Sequence, residues 1–133
     1  MSAPTVDAII VNYNTRDRTL EAIDSLVDLD LDWLGIVLID NGSTDGSLEA
    51  IRAAHPTVTL IDAGENLGFA RAVNRGVEAS TADYVMLFNP DASAFPGSLE
   101  ALVGFAEAHP EHGIYGGRTV DETGALDPSS CWG

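Results

Sequence analysis

The chain has 133 residues, 45% of them hydrophobic, a composition that supports one domain with its own apolar core and excludes a disordered segment. Its net charge is -15, from 21 acidic residues against six basic ones, and all six are arginine. The lack of lysine excludes a phosphate-binding P-loop lysine, a Schiff-base lysine and the lysine of a receiver domain, while the lack of clustered cations excludes a general nucleic-acid binder.

The remaining acidity reads as a solubility feature, and any anionic ligand needs a local remedy for this field. The only thiol is Cys131, so no internal disulfide forms and a reducing, cytoplasmic setting is expected. No apolar run has the length of a membrane span, and "MSAPTVDAIIVN" lacks the basic head and long apolar stretch of a signal peptide.

In chain order, the β-branched run at 6–11, "VDAIIV", predicts a first strand, and the polar "NYNT" after it a stop and a helix cap. Leu20, Ile23, Leu26 and Val27 recur at helical spacing and predict a helix from Arg16 to about Asp28. "LDLDLDW" alternates like a strand but reads better as a helix end and loop before the second strand, Gly35 to Asp40. "NGSTDGS" offers a turn and several N-caps for a helix over Leu48 to His55, which Pro56 ends. "TVTLIDA" predicts a third strand. A loop at Gly64 to Gly68 then leads to a third helix whose face is expected to be Phe69, Val73 and Val77.

"YVMLF" predicts strand four. Leu99, Leu102, Val103 and Ala106 predict a fourth helix with Pro96 near its first turn. A short fifth strand is expected at Gly113 to Tyr115, and "VDETGAL" reads as a small hairpin around Gly124. His55 and His109, each before a proline, read as helix ends, with His112 in the next loop. The alternation of apolar strands and helices predicts an α/β fold, a mostly parallel sheet with helices on both faces.

In such sheets ligands bind beyond the carboxyl ends of the strands, and this chain places its unusual polar residues there. They are Asn12, Tyr13 and Asn14 after strand one; Asp40, Asn41 and Ser43 after strand two; Asn66 after strand three; and Asn89 and Asp91 after strand four. Neither G-x-G-x-x-G nor a P-loop is present, and Gly64 and Gly68 are either ordinary loop glycines or ligand contacts. Phosphates bound here find no lysine and no glycine cradle, so a divalent cation held by a carboxylate is the natural substitute. In "FNPDAS", Pro90 turns the chain out of the sheet and leaves Asp91 at the rim, a turn residue or a metal ligand.

The segments "VDAIIVNYN", "GIVLIDNGSTDGS", "ENLGFARAVNRG" and "YVMLFNPDA" together resemble the nucleotide-binding half of family 2 glycosyltransferases of the Rossmann-like GT-A fold. The wording "NPDA", with "NLGFA" before it, is most similar to the rhamnosyltransferase-type branch. The likeness runs from about Val6 to Leu126. It implies that Tyr13 stacks on the nucleobase and that Asp40 hydrogen-bonds the base or ribose. It implies that Asn66, Gly68 and Arg71 line the nucleotide pocket, with Asn74 as a buttress, although Arg71 equally suits a solvated helix face. Asn12, Asn14, Asn41 and Asn89 complete the expected nucleotide-binding set. Asp91 matches the last acid of the D-x-D signature, the expected ligand of Mg²⁺ or Mn²⁺.

Two departures stand out. The first acid of D-x-D is replaced by Asn89, so metal affinity before nucleotide binds is expected to be low. The acceptor-binding half and its catalytic base are expected beyond residue 133, which makes residues 1–133 a donor-site fragment. Asp121, Glu122 and Asp127 read as solvated hairpin acids.

The resemblance implies inverting transfer of a sugar, rhamnose or another hexose, from a dTDP- or UDP-linked donor to a glycan or lipid-linked glycan. It also implies a peripheral place at the inner membrane face for the whole protein. A sugar nucleotidyltransferase, or a non-catalytic nucleotide-binding or receiver-like module, are the competing classes. The first needs an N-terminal glycine-rich loop with basic residues, which is absent; the missing lysine counts against a receiver-like module, and a nucleotide-binding test separates that module from a glycosyltransferase.

Overall fold

A computed structural model describes residues 4–126. They fall into two compact units, 1–94 and 95–133.

The first unit is built on four strands: β1 (Val6–Asn12), β2 (Leu34–Asp40), β3 (Thr59–Asp62) and β4 (Tyr84–Leu87). All pairings are parallel, and the order across the sheet is β3-β2-β1-β4. The helices are α1 (Arg16–Val27), α2 (Ser47–Ala54) and α3 (Phe69–Ala79). Each crossover between parallel neighbours is right-handed by chain chirality, so reversing direction across the sheet sends α3 to the opposite face from α1 and α2. The parallel sheet with helices on both faces is therefore the fold expected from the alternation. "LDLDLDW" is indeed a helix end and loop.

The central strands are apolar on both faces because both are covered. Ile9, Val37 and Ile39 meet Ala72 of α3, with Val11, Ile61 and Ala63 at the margin. Ile10 and Leu38 point to the other face, where Ala22, Ile23 and Leu26 of α1 and Ile51 of α2 are buried. The α1 and α2 pair is tied by His55, the residue after α2, whose Nε2 lies 2.7 Å from Asp24 Oδ1.

One expectation fails at α3. Phe69 and Val77 are 59% and 40% exposed, and the residues buried against the sheet are Ala72 and Gly76. The helix lies too close for large side chains there: a Cβ on Gly76 would stand 2.7 Å from Ile9 Cγ2 and from Ile39 Cδ1. The valines and phenylalanine flank the contact instead of making it.

The second unit holds α4 (Ser98–Ala108), preceded by Pro96 and the αL residue Gly97, with Leu99 and Ala106 buried. His109 follows as its cap, Nδ1 2.9 Å from the Phe105 carbonyl and its ring stacked on Phe105 at 4.1 Å. The fifth strand expected at Gly113 to Tyr115 is not formed. Ile114 is 93% exposed, and the Tyr115 hydroxyl donates toward the carbonyls of His109 and His112, closing off the end of α4. The two residues between Gly113 and Gly116 have no strand to pair with and are too few to form one alone. The expected hairpin is present as a single antiparallel bridge, Val120 to Leu126. Asp121 accepts from the N–H groups of Thr123 and Ala125, and the Thr123 hydroxyl holds its carboxyl below the ordinary value.

Candidate functional site

β1 lies between β2 and β4, so the strand order reverses at β1. Ligands of open α/β sheets bind beyond the carboxyl ends of the strands at such a reversal. All nine polar residues singled out at the strand ends in the sequence lie in the first unit, at this end or in the loops beyond it.

Asn12 ends β1 opposite Asp40 on β2. It is fully buried, so its carboxamide must find all its partners inside the protein. Nδ2 donates to Asp40 Oδ1 at 2.7 Å and to Ser43 Oγ at 3.0 Å. Oδ1 accepts from the hydroxyls of Thr15 at 2.9 Å and Thr19 at 2.7 Å. A carboxylate only accepts, which fixes the amide's orientation. Its capacity of two donors and two acceptors is used up.

Asp40 is 2% exposed, and its second oxygen accepts from the Ser43 N–H at 3.0 Å. The carboxylate expected to face a base is turned into the loop network, and its visible work is to hold Asn12 and Ser43. Ser43 Oγ also accepts from the Asn14 N–H at 2.9 Å, and Asn14 Oδ1 accepts from the Thr44 N–H at 2.8 Å. Asn14 has φ 51, a left-handed value that asparagine tolerates through such local bonds. Between these pinned residues Tyr13 is left 49% exposed, a free aromatic face at the rim.

The helices after these loops share one acceptor. Asp45 Oδ2 takes the Arg16 N–H at 3.0 Å, and Oδ1 takes the Ser47 N–H at 3.0 Å and the Ser47 hydroxyl. The Ser47 hydroxyl bond, with the backbone bonds of Arg16 and Ser47, holds the Asp45 carboxyl below its ordinary value despite the opposing effect of burial. One acidic side chain thus serves the starts of α1 and α2, where negative charge is favoured. Thr15 holds the N-cap position of α1 without a side-chain capping bond, and its hydroxyl donates to Asn12 Oδ1.

Asn41, also buried, reaches the loop after β3. Its Oδ1 accepts from the Leu67 N–H at 3.1 Å and its Nδ2 donates to the Gly68 carbonyl at 3.3 Å. Gly42 lets the two loops touch: its φ is +82°, and a Cβ there would meet the Glu65 backbone at 3.1 Å. Asn66 closes a turn by accepting the Gly68 N–H at 2.9 Å. Gly68, at φ +81°, opens α3 with no atom near the position of a Cβ, so its freedom is used for the turn and not for a close approach within the chain. Arg71 is exposed in the first turn of α3 with no ion pair among the described residues.

β4 stops at Leu87, Phe88 N–H still donating to the Ile9 carbonyl at 3.0 Å. Pro90 and Asp91 then form a turn closed by Ala92 N–H on the Asn89 carbonyl at 3.0 Å. The Asp91 carboxylate is exposed and takes no hydrogen bond from a described residue. No group of three or more His, Cys, Asp or Glu among the described residues is arranged to hold a metal. A lone free carboxylate beside a carboxamide suits a hard cation that draws its other ligands from phosphates and water.

Sequence reasoning read "NYNT" and "NGSTDGS" as helix caps but did not single out Thr15, Thr19 or Asp45 as residues that hold the site. Their signals were legible: an asparagine ending an apolar strand needs buried partners, a threonine on an apolar helix face supplies them, and an aspartate before Gly-Ser is a capping residue.

Among known proteins, an N-acetylglucosaminyl-diphospho-decaprenol L-rhamnosyltransferase of Mycobacterium tuberculosis is 36% identical over 108 residues, covering 73% of this chain and 35% of its own length. A putative glycosyltransferase of Bacillus subtilis, EpsE, is 31% identical over 119 residues, covering 86% of this chain and 43% of its own. The structure of the mannosyltransferase PcManGT from Pyrobaculum calidifontis, in complex with GDP-Man and Mn²⁺, superposes with a TM-score of 0.71 at 28% identity. That likeness covers 80% of this chain and 33% of PcManGT. The chain thus spans between a third and less than half of the length of these relatives. The family described as Glycosyl transferase family 2 matches residues 7–128, nearly all of the described structure, and the chain belongs to it.

Proposed function

We propose that this chain is the donor-binding part of an enzyme that transfers a sugar from a nucleoside diphosphate to an acceptor hydroxyl with inversion at the anomeric carbon. The observation that carries the reading is the arrangement of polar residues beyond the carboxyl ends of the strands. They are either locked into loop geometry, as Asn12, Asp40 and Asn41 are, or left free and outward, as Tyr13 and Asp91 are.

In this reading Tyr13 offers its ring to the base, a flat apolar face with a polar rim suited to stacking. Asn14, Asn66, Gly68 and Arg71 surround the nucleotide, with Arg71 countering phosphate charge in a chain otherwise strongly acidic. Asp40 and Asn41 contribute by holding the two loops in register. Asp91, with Asn89 beside it, would hold Mg²⁺ or Mn²⁺. When bound, such an ion supplies charge stabilisation for the departing diphosphate. Asn89 in place of a second acid leaves that site weak until phosphates complete it.

The L-rhamnosyltransferase among the relatives favours rhamnose first among the sugars and a lipid-linked glycan among the acceptors; the dTDP- or UDP-linked donor of this reading rests on the sequence resemblance alone. The base that deprotonates the acceptor, and the acceptor contacts, belong outside these 133 residues. A cytoplasmic enzyme meeting a lipid-linked acceptor at the inner membrane face fits this reading, and no described helix is long and apolar enough to cross a membrane.

Calorimetric titration of the chain with dTDP, UDP and GDP, with and without Mn²⁺, tests the donor site. Saturable binding that strengthens with Mn²⁺ and loses that gain in Asp91→Ala is expected. Equal affinities with and without metal, or an unchanged Asp91→Ala, refute the metal role. Absence of binding by all three nucleotides refutes the donor site as one complete within this chain.

A further inference from the structure

We infer that Thr19, buried in the first turn of α1, is a positioning residue for the nucleotide loops, acting through Asn12. This rests on the donor-site reading for its functional consequence and on geometry alone for its structural one.

The chain of bonds is continuous. Thr19 is fully buried and donates to Asn12 Oδ1 at 2.7 Å. Asn12 Nδ2 passes the constraint to Asp40 Oδ1 and Ser43 Oγ. Asp40 fixes the Ser43 N–H, Ser43 Oγ fixes the Asn14 N–H, and Asn14 Oδ1 fixes the Thr44 N–H. Tyr13, the exposed ring at the rim, lies between the two anchored asparagines. Its backbone therefore takes its position from a helix residue it never touches.

The network has no slack. Asn12 has no unused donor or acceptor, and no buried side-chain polar atom among the described residues lacks a partner. Thr19 and Thr15 hydroxyls lie 3.1 Å apart and both donate to Asn12 Oδ1, so removal of one leaves that oxygen with a single donor. In a buried, fully satisfied network the loss of one member is felt by the rest. Asn12 thus acts on the nucleotide loops through its internal bonds, and the placement of the β1 and β2 loops is set partly from α1.

Thr19→Val keeps the shape and removes the hydroxyl; Thr19→Ser keeps the hydroxyl and removes a methyl. Ser43→Ala breaks the same chain at a less buried point. Amide hydrogen exchange at Asn14, Ser43 and Thr44 is compared with exchange at Ile10 and Leu38 in the core strands, and affinity for UDP and dTDP with Mn²⁺ is measured alongside. Thr19→Val and Ser43→Ala are expected to speed exchange at the three loop amides by about five- to tenfold, beyond any change at the core amides, the loss of one hydrogen bond. They should weaken nucleotide by a similar factor, with Thr19→Ser close to the parent protein.

Uniform acceleration at loop and core amides alike makes Thr19 a packing residue only and overturns the inference. Loop amides that exchange at the parental rate overturn it too. Selective loop opening in a chain that binds neither nucleotide upholds the positioning network and refutes the donor-site reading instead.

Discussion

Replacing Gly76 by alanine tests how α3 is seated on the sheet. The added Cβ stands 2.7 Å from both Ile9 Cγ2 and Ile39 Cδ1, against an optimal carbon separation of about 3.5–4.0 Å, so both contacts are repulsive. Alanine in a helix interior regains about 0.5–1 kcal/mol over glycine. Overpacking a filled core costs about 1–3 kcal/mol. The two neighbours differ in compliance. Ile39 Cδ1 is the end of a side chain that can rotate away, whereas Ile9 Cγ2 is fixed by the branched Cβ of a central strand. The clash is therefore only half relieved by rotamers, and the cost falls in the upper part of its range. A net loss of about 1–2 kcal/mol follows. Urea unfolding of Gly76→Ala, Ile39→Val and the double variant measures it. Ile39→Val removes Cδ1, so Gly76→Ala should cost less in that background, by about 0.5–1 kcal/mol of coupling. A Gly76→Ala protein as stable as its parent, or strict additivity in the cycle, would refute this account of α3 packing.

Two further predictions concern the loops. Asn41→Ala removes the acceptor for the Leu67 N–H and the donor for the Gly68 carbonyl, so a loss of about 1–2 kcal/mol is expected. It should come with faster exchange at the Leu67 amide; an unaltered Leu67 amide would count against the tie between the two loops. Asp45→Asn probes pH dependence. The Asp45 carboxyl is held below its ordinary value, so its stabilising contribution is present above about pH 3.9 and is lost as pH falls through its lower folded value. The gap in urea midpoint between the parent and Asp45→Asn should be widest near neutrality and close on acidification below pH 4. A gap of the same size at pH 2.5 and pH 7 would show that the charge is not what matters.

Much of the fold was legible because its signals are local. Apolar β-branched runs, helical spacing, and the stops at Pro56 and Pro90 each act within a few residues, and strands and helices fell where those signals put them. The failures are cases in which distance in space outweighed spacing in sequence. The periodic Phe69, Val73 and Val77 read as a buried face, but the helix approaches so closely that only Ala72 and Gly76 fit beneath it. Gly113 to Tyr115 looked like a strand by composition, yet a strand needs a partner, and Tyr115 instead uses its hydroxyl at the end of α4.

The candidate site divides in the same way. Its membership was readable from sequence, since polar residues at the ends of apolar strands are conspicuous. Their orientation was not. Asp40 and Asp91 are both carboxylates after a strand, but Asp40 ends a central strand and is enclosed, while Asp91 follows the prolyl turn beyond a strand that stops at Leu87. Burial obliges the first to satisfy both oxygens within the chain, and exposure leaves the second free for a ligand. Which acid is tied into the loops and which stands exposed thus follows from strand order, a property of the whole sheet that no window of sequence contains.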